Sequence, residues 1–229
     1  MEEQIKKADE KIEYAKNNYG DVEIREAILE KANIYASAKM YKEAVEIFNK
    51  ALEISAGVGK KMDVIFELLK IGLTLKDLDS MQANINKFKE LFKEGGDWER
   101  KNKLKVYEGI YDMLIRDFKK ASDELINVIP NFTSMDIIDF KGLVFYSVIT
   151  GLVSQPRQVI KEKMVHSPDV LSIIREIPNL KEYMDSFFYC KYDEFLRRFV
   201  EIAQKLKDDQ YLGGHWKYYM REMSIRAYS

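Results

Sequence analysis

The sequence predicts an all-α chain built from a row of antiparallel helical hairpins, and three observations carry that expectation. The first 129 residues contain no proline, so nothing there interrupts a helix through a missing N–H. Apolar residues recur at helical spacing, as in Ile24, Ala27, Ile28 and Ala32, in Ile65, Leu68, Leu69 and Gly72, and in Leu104, Tyr107, Tyr111 and Leu114. Alternating runs bounded by turn residues, the mark of strands, are missing from the sequence.

A tetratricopeptide-like repeat, of the kind whose period lies in the thirties, is legible within this helical pattern. Ala32, Tyr35, Tyr41, Ala44, Phe48 and Ala51 follow the small and aromatic positions of a tetratricopeptide-like hairpin. Small residues let two antiparallel helices approach, and the aromatics fill the groove toward the next pair. A looser copy is expected 40 residues on, at Gly72, Leu75, Phe88 and Leu91 with Asn84 at a small position. A third has Gly109, Phe118, Ala121, Leu125 and Val128, with Asp112 where an aromatic would stand. Stacked hairpins of this kind predict a right-handed superhelix.

Punctuation agrees with that division. Gly57 and Gly59 are expected to end the first pair, Gly95-Gly96 the second, and Asp97 to cap a helix starting at Trp98. Pro130 closes the third. Beyond it, Pro156, Pro168 and Pro178 divide a shorter-helix region rich in aromatics, including Phe187, Phe188, Tyr189, Tyr192, Phe195 and Phe199. The expected organisation is helical repeats over 1–134 and a second helical subdomain over 135–229. A last helix from about His215 reaches Ser229 without a capping residue, which leads us to expect that the natural protein continues.

Composition narrows the function classes. Lys plus Arg, 37, nearly balances Asp plus Glu, 38, so no net positive field gathers nucleic acid or an anionic membrane. No apolar run reaches membrane-spanning length, and the first residues have no signal-peptide character. The single Cys190 forms no internal disulfide and fits a reducing compartment, cytosol or nucleus. These features favour protein partners.

Catalytic chemistry finds little support. With only His166, His215 and Cys190 available, no ligand pair has metal spacing, and neither a metal nor a cofactor is expected. Cys190, set among aromatics, reads as a small buried thiol on a helix and not as a nucleophile. Gly57-Val58-Gly59-Lys60 lacks the preceding strand and the spacing of a phosphate loop and reads as a helix-to-helix turn. Asp77 and Asp79 read as a solvated loop. The densest basic cluster, Arg100, Lys101, Lys103 and Lys105 beside Trp98, Tyr107 and Tyr111, is the candidate partner surface. Glu99 and Glu108 partly neutralise it, so nucleic acid is the lesser reading and a protein partner the better one.

Several stretches carry a family resemblance. They are Asp63-Val64-Ile65-Phe66 with Ile71-Gly72-Leu73; Glu94-Gly95-Gly96-Asp97-Trp98-Glu99-Arg100 running on to Tyr107; Ile115-Arg116-Asp117-Phe118-Lys119; Phe132-Thr133-Ser134 with Asp139 and Lys141; and Tyr218-Tyr219-Met220-Arg221-Glu222-Met223 through Ala227-Tyr228-Ser229. In order and content they resemble the proteasome regulatory-particle lid family called regulatory particle non-ATPase seven, with subunit one of the signalosome as a close relative. The segment 151–172 matches that pattern poorly. The resemblance implies helical repeats leading into the helical part of a PCI domain, with a winged helix beginning after Ser229. It further implies a non-catalytic scaffold that contacts other PCI lid subunits, a deubiquitinating neighbour and the ATPase base, in cytoplasm and nucleus. Without the winged helix, the 229-residue chain is expected to be a monomer.

Overall fold

A computed structural model describes residues 2–18, 20–133 and 135–228. Ser134, the first side of the expected domain boundary, and Ser229, the end of the last motif, lie outside the described residues. Among the described residues the fold is all-α: thirteen α-helices and no strand, with a single isolated bridge between Met135 and Ile138. None of these helices is long and apolar enough to cross a membrane.

The chain forms two compact units, residues 1–100 and 101–229. The first contains α1 (Glu2–Asn18), α2 (Asp21–Ser37), α3 (Tyr41–Ile54), α4 (Val58–Leu75), α5 (Leu78–Glu94) and the first residues of α6 (Trp98–Leu114). Its core gathers Ala32, Ala44, Phe48, Val64, Leu68 and Ile71, with Tyr35 and Tyr41 packed against them. The second contains the rest of α6 and then α7 (Phe118–Val128), α8 (Phe140–Ser154), the short α9 (Arg157–Ile160) with a π-helical turn at Lys161–Val165, α10 (Pro168–Ile174), α11 (Leu180–Phe188), α12 (Tyr192–Lys207) and α13 (Trp216–Tyr228). Helix α8 is its centre: every residue from Leu143 to Leu152 is buried, and its low-charge sequence FKGLVFYSVITGLVS suits burial on all sides.

Four hairpin turns share one geometry. Lys39, Lys76, Arg116 and Cys190 each adopt left-handed backbone, with φ of 60°, 54°, 68° and 58°. At each, the residue's own N–H bonds the carbonyl three positions back, and the next N–H bonds the carbonyl five back: Met40 to Tyr35 at 3.0 Å, Asp77 to Gly72 at 2.9 Å, Asp117 to Asp112 at 2.8 Å and Lys191 to Ser186 at 2.9 Å. These are Schellman caps, which satisfy the orphan carbonyls of the first helix while the chain reverses into the second. Asp77 and Asp117 then serve a second purpose, their carboxylates accepting from the N–H of Ser80 and Lys120 to cap α5 and α7. Asp77 is therefore a helix cap, and Asp79 lies in the first turn of α5.

These turns correct the repeat register. From Lys39 to Lys76 is 37 residues and from Lys76 to Arg116 is 40, so the second hairpin does not follow the first at 40. Aligned on the turn, Ala44, Phe48 and Ala51 correspond to Met81, Ile85 and Phe88, all buried, and in the third hairpin to Ala121, Leu125 and Val128. Leu75, expected inside, is 51% exposed because it immediately precedes the turn. Gly72 remains a close-approach point: a Cβ there would lie 3.0 Å from Met81 Cγ. The same holds in the third hairpin, where a Cβ on Gly109 would lie 2.6 Å from the Leu125 side chain.

The expected boundaries elsewhere are observed. Gly57, at φ 92°, precedes α4 in a helix-to-helix turn, while Gly59 sits inside α4. The N–H of Arg100 bonds the Asp97 carboxylate at 2.7 Å, so Asp97 caps α6. Pro130 lies in the 3₁₀ turn that ends α7, Pro156 directly precedes α9, and Pro168 opens α10.

Asp112 lies half-buried in the third hairpin, where desolvation and then the neighbouring Asp117 push its carboxyl up to about 6. A raised acid pKa means the native state holds its proton better than the unfolded chain. The ionised group thus costs stability above pH 6, and the cost fades as pH falls toward 4. Asp112→Asn is expected to stabilise by about 1 kcal/mol at pH 7.5, after allowing for solvent screening of a half-exposed group. The gain should vanish near pH 4 when denaturant unfolding is repeated across that range.

Candidate interaction surface

The basic cluster on α6 is divided by its own helix. At 100° per residue Arg100 and Lys103 fall on one flank and Lys101 and Lys105 on another. Arg100 is turned inward along unit 1: its Nε and Nη2 donate to the two oxygens of Asp63 at 2.9 and 3.0 Å, and its Nη1 donates to Asp97. Gly59 lies beside this arrangement, where a Cβ would meet the guanidinium carbon at 3.5 Å, an ordinary van der Waals contact. Lys105 pairs with Glu124 at 3.4 Å in unit 2. Lys101 is exposed and Lys103 half-buried. At least two of the four cationic groups are thus met by carboxylates of the chain itself.

Cys190 is exposed, which corrects the expectation of a buried thiol. The cause is the turn: its left-handed backbone places it at the tip between α11 and α12, where the side chain leaves the packed face. Arg157 Nη2 donates to its Sγ at 3.1 Å; this bond, then one from Tyr192, holds the thiol below its ordinary pKa. The same Arg157 donates through Nη1 to the carbonyl of Phe188, closing the end of α11. His215, one of the two histidines of the sequence, accepts from Arg116 Nε at 3.0 Å.

Stretches that look unrelated along the chain meet in the fold. In unit 1 the Asp63 stretch and the Asp97–Arg100 stretch are joined by the bidentate ion pair just described. In unit 2 the Ile115–Lys119 stretch meets the Tyr218–Ser229 stretch. Arg116 lies 5.0 Å over the Tyr218 ring, and Phe118 packs on Tyr218 at 5.8 Å and edge-on to Tyr219 at 6.0 Å. Arg226 donates to the carbonyls of Val153 and Gln155, capping α8 with a cation where the helix dipole is negative. Tyr219 and Tyr183, both fully buried, share a 3.0 Å hydroxyl bond, and burial pushes both phenols above their ordinary range. What these residues do is hold helices to one another.

The family described as 26S proteasome subunit RPN7 matches residues 1–163. The chain belongs to the RPN7 family. Among curated relatives, this RPN7-family chain is 40% identical over its whole length to the 26S proteasome non-ATPase regulatory subunit 6 of Oryza sativa, and 40% identical to the corresponding homolog of Arabidopsis thaliana. It spans 59% of the length of each. Similarity to the COP9 signalosome complex subunit 1b of Drosophila melanogaster is lower, 21% over 90% of the chain and 41% of that protein.

Sequence reasoning located the RPN7-family stretches but missed how they pair. It also missed Arg157 and Tyr183, which belong to no recognised stretch. A buried tyrosine pair has a definite energetic signature. Tyr219→Phe leaves the Tyr183 hydroxyl buried without its partner and is expected to cost about 1–3 kcal/mol in chemical unfolding, whereas the double change to Phe should recover most of that loss.

Proposed function

We propose that this chain is a non-catalytic scaffold subunit of the lid of the 26S proteasome regulatory particle, supporting its assembly and through it ubiquitin-dependent protein degradation. Its partners on this reading are other PCI subunits of the lid and the ATPase base, and its place is the cytoplasm and nucleus. Residues 1–134 serve as helical repeats and residues 135–229 as the helical part of a PCI domain, and the 229-residue chain by itself is a monomer. The observation that carries the reading is RPN7-family membership, combined with the use made of the family stretches. Asp63, Arg100, Arg116, Tyr218, Tyr219 and Arg226 are occupied in joining helices, as a scaffold requires and a reaction centre does not.

Two other readings are weaker. A signalosome role is disfavoured by the gap between 40% and 21% identity. Nucleic-acid binding through α6 loses its main support, because Arg100 and Lys105 are engaged by Asp63, Asp97 and Glu124.

Affinity purification of the tagged full-length protein from its own cells, followed by mass spectrometry, separates these readings. Lid and base subunits of the proteasome are expected. Recovery of signalosome subunits in their place, or of no proteasome subunit, would overturn the proposal.

A further inference from the structure

Helix α1 is held unlike its neighbours. Its apolar residues Ile5, Ala8, Ile12 and Ala15 stand three, four and three apart, which makes a single narrow seam. Only Ala8 and Ala15 are buried among its described side chains, while Ile5 and Ile12 are half-buried and Lys6, Lys7, Glu10, Glu13 and Lys16 are exposed. Helix α4, of similar length, buries nine residues between Met62 and Leu73. An alanine removes little apolar surface from water, so α1 gains far less by docking than the helices of the core do.

The structure also shows what α1 covers. It packs antiparallel on α2, with Lys11 Nζ donating to Glu30 at 2.6 Å and Lys31 Nζ donating to Asp9 at 2.5 Å. At 100° per residue, Ile24, Ala27 and Ile34 fall on the flank of α2 that carries Glu30 and Lys31. That flank stands outside the core that Ala32 shares with α3 and α4. Both ion pairs lie at the surface, where such pairs are weak and screened by salt. They are still a large share of what holds α1, because its seam is so small.

We infer that α1 is a salt-sensitive strap: it opens from α2 as a unit while α2 to α5 stay folded, and in opening it uncovers the flank formed by Ile24, Ala27 and Ile34. An undocked helix of 17 residues is marginal in water, so α1 loses its backbone hydrogen bonds when it leaves α2. The core at Phe48, Val64 and Leu68 contains no side chain of α1 and is untouched by the opening. Two lysines control the strap. Loss of either charge, by acylation of Lys11 or Lys31, removes one of the ties. The inference stands apart from the scaffold reading above.

Hydrogen exchange on the full-length protein tests this, read by mass spectrometry at about 0.05 and about 0.5 M sodium chloride. The α1 amides from Ile5 to Ala15 are expected to exchange together, at least about tenfold faster than those of α4. At the higher salt they should exchange about threefold faster again, while α4 is unchanged. Lys11→Glu should give a similar acceleration at low salt, and the charge swap Lys11→Glu/Glu30→Lys should restore the slower rate. Four results would each overturn the inference: protection of α1 equal to that of α4, a gradient that rises only toward one end of α1, an acceleration shared by α4, or indifference to salt or to Lys11→Glu.

Discussion

The constraint on which the rest depends is the tight reversal at the hairpin tips. A Schellman cap gives the chain almost no length in which to separate two helices, so the helices it joins must approach closely just behind the turn. Close approach demands small residues on one side or a yielding partner on the other, which is what Ala32, Gly72 and Gly109 provide against the following helix. Burial of Phe48, Ile85 and Leu125, nine residues past each turn, follows from that approach.

This geometry uses left-handed residues that are not glycine. Lys39, Lys76, Arg116 and Cys190 accept a conformation that costs an ordinary side chain about 1 kcal/mol or more. In two of the four the side chain is visibly employed. Arg116 reaches His215 and the Tyr218 ring, and Cys190 accepts from Arg157 beside the end of α11. The tips in unit 2 thus tie α13 and α9 to the hairpins by polar contacts that glycine could not make.

The sequence made the helical class and most boundaries legible because they rest on local signals: proline placement, the Asp97 cap and apolar spacing at Ile65, Leu68 and Leu69. The first and third hairpins were legible because their small and aromatic residues fall in register. The second was shifted by three residues because the reading fixed on glycine, and the turn that sets the register carries Lys76. Cys190 was misplaced for the same reason, since its neighbours are aromatic but its backbone sits at a tip. The basic run on α6 read as one surface, yet Arg100 is claimed by Asp63, 37 positions earlier, a pairing that no local pattern announces. The coupling of Arg116 and Phe118 to Tyr218 and Tyr219 was equally out of reach, because it depends on a chain reversal about a hundred residues long.

The most direct measurement of this account is the unfolding free energy of Gly109→Ala beside Gly109→Ala/Leu125→Ala. If close approach behind the tip governs the hairpin, the added methyl should cost about 1–3 kcal/mol by overpacking. Its cost should then nearly disappear when Leu125 has already been cut back to Ala. A methyl at Gly109 that leaves stability unchanged, or that costs the same with and without Leu125, would contradict it.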